Sequence, residues 1–320
     1  MIVAMCCTRN WYIYLATVLY SLFKNNNVKK VYVFIEDDNI PYIQDKRVEF
    51  ININDTKEYI TKDSPNYNTQ YTKMCYIRCY FTKLLKCDKI LYIDTDTIIN
   101  GNIEELWNID LKDNVIAGVH EGGEWNKHLN TYGMNDTYIN SGVLLMNLKA
   151  IREEKLDDSM IYLLNHNHYW FPDQDVINLV CRNRVYQLEN IYNSTETTGF
   201  RDDAKIIHYI RGNKGWIKSS PRSDIWYKYH YEMLGGDNMY KVGALFDFDD
   251  VTVQDKDGKN VKRIAYQNVP EVDREKYYWE VSKERYEYLK EHNAVELIEI
   301  IPIEQPKVET NKKKTTKKGK

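Results

Sequence analysis

Over about the first two-thirds of the chain, short apolar runs alternate with segments of helical periodicity. Met1 to Met5 reads as an apolar strand opening into the loop Cys6-Cys7-Thr8-Arg9-Asn10-Trp11-Tyr12. Behind it, Leu15, Val18, Leu19, Leu22 and Phe23 recur at the spacing of one helix face, and Asn25-Asn26-Asn27 ends the helix. Val31–Ile35 is the next strand, closing on Glu36-Asp37-Asp38, and Val48–Ile53 a third. Tyr71–Lys86 reads as one amphipathic helix with Met74, Ile77, Phe81, Leu84 and Leu85 towards the core. Further on, Ile90–Ile93 and Val115–Val119 read as strands, with a short helix over Asn102–Trp107 between them. Tyr138–Leu148 reads as a strand interrupted at Asn140-Ser141-Gly142, Phe171–Asn178 as a helix start and Lys205–Tyr209 as a strand. This alternation predicts an α/β domain with a mostly parallel central sheet. Ligands of such sheets bind at the carboxyl ends of the strands.

The pattern changes past Trp216. Val251–Val253 and Val261–Tyr266 flank Asp255-Lys256-Asp257-Gly258, a hairpin signal. Val272–His292 is expected as a helix, with Tyr277, Val281, Tyr288 and Leu289 in its apolar set, and Val295–Ile301 as an alternating strand ended by Pro302. The expected organisation is an α/β domain over 1–244, a small C-terminal α+β appendage over 245–305 and a disordered lysine-rich tail over 306–320.

Composition alters this picture little. At 320 residues the chain can bury a sizeable core. Its formal charge of −3 gives no general affinity for nucleic acid. From Pro306 to Lys320, seven lysines stand against one acid, a net of +6 that leaves −9 elsewhere. Such a tail suits an anionic surface, although its plainer role is to solubilise. No apolar run approaches bilayer length, the N-terminus lacks a signal-peptide pattern, and the six cysteines form no paired C-x-x-C knuckles. The expectation is a cytoplasmic protein with reduced, structural cysteines.

The chemistry gathers where polar residues break apolar runs. Ile90-Leu91-Tyr92-Ile93 has the composition of a buried strand, yet Asp94-Thr95-Asp96 follows before Ile98 and Ile99 resume. A core strand has no use for unpaired carboxylates. Residues two apart in a strand or sharp turn point the same way, so Asp94 and Asp96 can converge on one hard cation such as Mn²⁺ or Mg²⁺. A surface turn that tolerates acids has the same pattern. Trp11 and Tyr12 lie at a strand's carboxyl end, where their rings either stack on a base or pack beneath the loop. Arg78 lies near the apolar side of its helix, placed to snorkel, to orient an acid or to reach a diphosphate. Asn140-Ser141-Gly142 marks a close approach of backbone. Asp173 suits an N-cap and Asp175 a first-turn acid, whereas Gln174 has no obvious structural task. His208 ends a strand and leads into Ile210-Arg211-Gly212-Asn213-Lys214-Gly215-Trp216, a glycine-rich cationic turn suited to phosphate.

Taken in this order, the first strand with its Asn-aromatic loop, Arg78, LYIDTDTII, YINSGVLLMNL, DQDVIN and HYIRGNKGW resemble the family 8 retaining glycosyltransferases, the group that includes glycogenin and bacterial lipopolysaccharide galactosyltransferases. The resemblance runs from Met1 to Trp216. It implies a GT-A fold, a Rossmann-like nucleotide-sugar-binding domain that takes a UDP-sugar with Mn²⁺. It implies Asp94, Asp96 and His208 as metal ligands, Asn10 with Trp11 or Tyr12 for the uridine, and Gly212 and Lys214 for the diphosphate. It places Arg78, Glu121, Asn140, Ser141, Asp173 and Gln174 around the donor sugar, and Thr95 in the donor-binding loop. Three departures stand out. Thr8 occupies a position where relatives often carry an acid contacting uracil. The usual H-x-x-G-x-x-K-P-W becomes HYIRGNKGW, with Arg211 at the glycine and Gly215 at the proline. Glu121 aligns by spacing alone.

Cleaving a sugar–diphosphate bond leaves a doubly charged UDP, which a divalent metal and Lys214 would stabilise. Retention through a covalent intermediate needs a carboxylate nucleophile, and the residue resembling the family's position on that face is Gln174. This favours front-face attack, with Asp173 as the alternative nucleophile. The expectation is a metal-dependent hexosyltransferase moving glucose or galactose from a UDP-hexose to a glycan, lipid-linked or protein acceptor. The alternative is a nucleotide-sugar-binding scaffold that keeps the fold without turnover.

Overall fold

A computed structural model describes residues 1–40, 43–122, 132–134, 137–233, 238–254 and 259–302. The turn expected at 255–258 and the tail expected at 306–320 lie outside the described residues. The chain forms two compact units, 1–230 and 231–320.

The first unit carries β1 (Ile2–Cys6), β2 (Lys30–Ile35), β3 (Val48–Asn52), β4 (Lys89–Ile93), β5 (Thr97–Ile99), β6 (Ile116–Val119), β7 (Val143–Asn147), β8 (Val185–Leu188) and β9 (Ile206–His208). Seven of these form one sheet in the order β3-β2-β1-β4-β7-β6-β8. Only β7 runs against the others, pairing antiparallel with β4 and β6. β5 and β9 make a separate antiparallel pair. Strands here are apolar on both faces because both faces are covered. Ala4, Phe34, Tyr92 and Leu144 enter one core, while their neighbours Val3, Val33, Leu91 and Val143 enter the other. The expected mostly parallel α/β sheet is what the chain builds.

The helix Tyr12–Asn25 buries Leu15, Val18, Leu19 and Leu22, as its periodicity predicts. Asn26 Oδ1, just past its end, accepts the Ile103 N–H at 2.7 Å and ties the helix to the chain after β5. The helix expected over Tyr71–Lys86 is instead broken. Lys73–Ile77 is helical, Arg78–Tyr80 is a 3₁₀ turn and Phe81–Leu84 is helical again. The tighter turn falls at Arg78, whose guanidinium is held by Asp94 and Ser141, and that tertiary tie overrides the regular period.

The second unit has a three-stranded sheet in the order β13-β10-β14 and the hairpin β11-β12. These are β10 (Asn238–Ala244), β11 (Phe248–Gln254), β12 (Asn260–Arg263), β13 (Trp279–Ser282) and β14 (Val295–Pro302), with the helix Lys283–Glu291 between the last two. The α+β character and the antiparallel pairing of the two strands that flank 255–258 are as expected. The unit, however, begins ahead of the boundary expected after residue 244, because β10 is its central strand. The helix expected over Val272–His292 is also corrected. Glu271–Tyr277 is 3₁₀, and Trp279 and Val281 alternate into the core from β13. Among the described residues, no helix is long and apolar enough to cross a membrane.

Candidate active site

The carboxyl end of β4 delivers the acids. Asp94 follows the strand directly, and its backbone N–H donates to Gly142 O at 2.8 Å. Asp94 Oδ1 accepts Arg78 Nη2 at 2.8 Å and the Tyr92 hydroxyl. Asp96 backbone O accepts the Tyr209 N–H at 2.8 Å, which seats the strand β9 and its terminal His208 beside the acids. His208 Nε2 lies 3.7 Å from Asp94 Oδ2 and 3.3 Å from Asp96 Oδ1. One ligand atom from each of the three residues falls within 4.8 Å of the others. Two carboxylates and an imidazole nitrogen are a donor set that fits a hard to borderline divalent cation such as Mn²⁺. Burial opposes ionisation of Asp96, but Lys214 and His208 outweigh it and hold the carboxyl well below the usual range.

A cleft of about 230 Å³ opens over this group, lined among others by Tyr71, Glu121, Asn140, Phe171, Gln174 and Arg211. Arg78 is buried and does not snorkel. Its Nη1 donates to Ser141 O at 2.7 Å, and its Nε approaches Asp173 at 3.4 Å. Asp173 accepts from Ser141 Oγ at 3.0 Å. Its burial raises the carboxyl's pKa above the usual range, against the pull of Arg78. Glu121 Oε2 accepts Asn140 Nδ2 at 2.6 Å, and its Oε1 accepts the Thr197 hydroxyl at 2.6 Å. Gln174 does have a structural task, since its Oε1 accepts the Ser141 backbone N–H at 2.8 Å. The Asn140-Ser141-Gly142 kink is a close approach, as its sequence suggests. A Cβ on Gly142 would lie 2.1 Å from His208 Cε1.

Other expected positions are placed less centrally. Lys214 reaches the group, with Nζ 2.6 Å from Asp96 Oδ2 and 5.0 Å from the centre of the Trp11 ring. Trp11 packs edge-on to Trp216. Tyr12 is committed to the core, its hydroxyl accepting the Glu36 N–H at 2.8 Å, while Asn10 is exposed. Thr95 turns its hydroxyl towards Cys6 O at 3.3 Å. Gly212 is exposed with no atom near a notional Cβ, and the left-handed residue of the turn is Arg211, at φ 56°. Gly215 is required by contact, since a Cβ would meet Trp226 at 2.5 Å. Sequence reasoning missed Asn193 and Thr197, polar loop residues whose short-range pattern carries no signal.

A sequence model of glycosyl transferase family 8 matches residues 2–220. A putative glycosyltransferase of Haemophilus influenzae is 29% identical over 235 residues, 64% of this chain and 69% of that protein. The lipopolysaccharide glucosyltransferase WaaO of Escherichia coli is 30% identical over 151 residues, 41% of this chain and 44% of that protein. Among solved structures, the galactosyltransferase LgtC in complex with donor and acceptor sugar analogs matches at a TM-score of 0.56 and 18% identity, over 72% of this chain and 95% of that one. That likeness is one of fold, and the fold is GT-A.

Proposed function

The chain belongs to glycosyl transferase family 8, and from that premise we propose that it moves a hexose, glucose or galactose, from a UDP-sugar to a glycan, lipid-linked or protein acceptor, with retention and with Mn²⁺ or Mg²⁺. The observation that carries this reading is the convergence of Asp94, Asp96 and His208 in one cleft with Glu121, Asn140, Ser141 and Gln174. A divalent cation held by the first three would supply Lewis-acid compensation for the charge that develops on the leaving diphosphate. Lys214 adds a point charge for the same diphosphate. Arg78 fixes Asp94 in one orientation, and Trp11 with Asn10 takes the uridine. Glu121, Asn140 and Gln174 meet the hydroxyls of the donor sugar.

Front-face transfer fits these side chains better than a covalent intermediate. The bond from the anomeric carbon to the diphosphate oxygen breaks while the acceptor oxygen bonds to that carbon on the same face. The acceptor's proton passes to the departing phosphate oxygen. Asp173, the alternative nucleophile, is occupied by Ser141 and Arg78, and its raised pKa lowers the share of the ionised form. A cytoplasmic setting completes the reading, in keeping with six free cysteines.

The test is UDP release from a panel of UDP-hexoses with and without Mn²⁺, together with the melting temperature with UDP plus Mn²⁺ and with UDP plus EDTA. Metal-dependent release and a metal-dependent rise in melting temperature are expected, both lost in Asp96→Asn. A metal-dependent rise with no release from any donor would favour the scaffold reading. No metal dependence in either measurement would sink the proposal.

A further inference from the structure

We infer that Asn193 is the positioning residue that prepares His208 as a metal ligand. The inference deepens the proposed function and rests on it. Asn193 is fully buried and directly follows the 3₁₀ turn Asn190–Tyr192 that leads towards β9. Its Oδ1 lies 2.9 Å from His208 Nδ1, and its Nδ2 donates to Asn140 Oδ1 at 2.8 Å. The same Asn140 Oδ1 accepts the backbone N–H of Gly142 at 2.9 Å.

The backbone contact decides the polarity of the whole series. An amide N–H can only donate, so the atom of Asn140 that faces Gly142 is its oxygen. An oxygen can only accept, so Asn193 presents its NH₂ to Asn140 and turns its own oxygen towards His208. His208 then has to donate from Nδ1, which makes Nε2 the ring nitrogen that would offer a lone pair to a cation. Nε2 is the ring atom facing Asp94 and Asp96. At the far end, Asn140 Nδ2 points at the Glu121 carboxylate, which agrees with the same assignment. Hydrogen bonds of this kind to the remote nitrogen of a ligating histidine fix its tautomer and ring orientation. Gly142 closes the arrangement sterically, because only a residue without Cβ leaves room for the His208 ring.

The experiment uses the full chain with Asn193→Leu, which keeps the bulk but removes the acceptor, and Asn193→Asp, which keeps the acceptor. Mn²⁺ binding is followed by electron paramagnetic resonance in the presence of UDP, and folding by circular dichroism. Nitrogen-15 histidine spectra of the metal-free wild type report the tautomer directly. Expected results are the His208 proton on Nδ1, Mn²⁺ affinity about 10- to 100-fold weaker in Asn193→Leu, and Asn193→Asp within about threefold of wild type. A wild-type His208 whose Nδ1 carries no proton overturns the inference even if the leucine variant fails to fold. So does a folded Asn193→Leu that binds Mn²⁺ as the wild type does, or a folded Asn193→Asp that loses Mn²⁺ to the same extent as a folded leucine variant. A wild type that binds no Mn²⁺ overturns the metal reading and the ligand role with it, and the tautomer spectrum then shows whether the series itself stands.

Discussion

Lys214 and Asp96 form an ion pair, Nζ to Oδ2 at 2.6 Å, that engages one oxygen of the carboxylate expected to bind metal. Lys214 also donates to Tyr209 O at 2.9 Å, so the ammonium is seated on the rim of the group. It supplies countercharge to the same carboxylate that a divalent cation would engage. Lys214→Met should therefore strengthen Mn²⁺ binding several-fold in the absence of UDP, by removing a competitor for Asp96. It should lower turnover at the same time, because one charged donor on a developing anion is worth on the order of 2–4 kcal/mol, or about 30- to 1,000-fold in rate. Titration with Mn²⁺ and UDP release give the two numbers. A parallel fall in both would show that Lys214 supports Asp96 and does not compete for it.

Gln174→Ala should divide its effect between fold and chemistry. Its Oε1 accepts the buried Ser141 N–H, and an unpaired buried donor costs about 1–3 kcal/mol. The variant should melt lower, and turnover should fall by roughly 30- to 1,000-fold with UDP affinity nearly unchanged, since the residue meets the sugar and not the nucleotide. Calorimetry with UDP separates the two effects. Weakened UDP binding would place this helix start at the wrong end of the donor, and full activity would overturn the front-face role.

The acids stood out because carboxylates inside an apolar run demand an explanation that composition alone can pose, whereas His208 joined them only through the family resemblance. The mostly parallel sheet was legible because short apolar runs alternate with segments of helical periodicity through the first unit. Arg78 was visible as an anomaly, but the 3₁₀ turn it imposes was not, because its cause lies across the chain at Asp94 and Ser141. The strand Trp279–Ser282 was hidden inside a helical reading because Tyr277, Val281, Tyr288 and Leu289 also fit a helix face. Asn193 carries no local signal at all. It matters only because β9 brings His208 back beside it.

Arg211 stands at φ 56° in the turn after His208, a conformation that costs a side-chain-bearing residue about 1–2 kcal/mol. Its ion pair with Glu196, at 3.5 Å between partly exposed side chains, returns little of that. Arg211→Gly should thus raise stability by about 0.5–1 kcal/mol after the entropy that glycine gains in the unfolded chain. Because Arg211 also lines the cleft, the donor KM should rise several-fold. Urea unfolding and donor kinetics check each half. A less stable glycine variant would mean that the Glu196 contact outweighs the backbone strain, and an unchanged KM would remove Arg211 from the donor site.

His230 closes the first unit as a neutral imidazole. Its ring stacks on Trp226 at 4.7 Å, its Nδ1 lies 2.8 Å from Thr17 Oγ1, and burial pushes its pKa down from 6.5 to about 4. The unfolded chain therefore takes up this proton first as the pH falls. The stability it contributes is fully present above pH 6.5, shrinks between 6.5 and about 4, and is gone below. Between pH 7 and pH 5 that amounts to roughly 2 kcal/mol, in a range where ordinary carboxylates scarcely titrate. His230→Gln keeps a polar group for Thr17 but cannot titrate, so its stability should fall by about 2 kcal/mol less than the wild type's over the same interval. Urea unfolding of both proteins at the two pH values isolates the difference from every other histidine. Equal losses would show that His230 is protonated in the folded protein at pH 5, and the part-buried contact with Trp226 and Thr17 would then have to accommodate the charge.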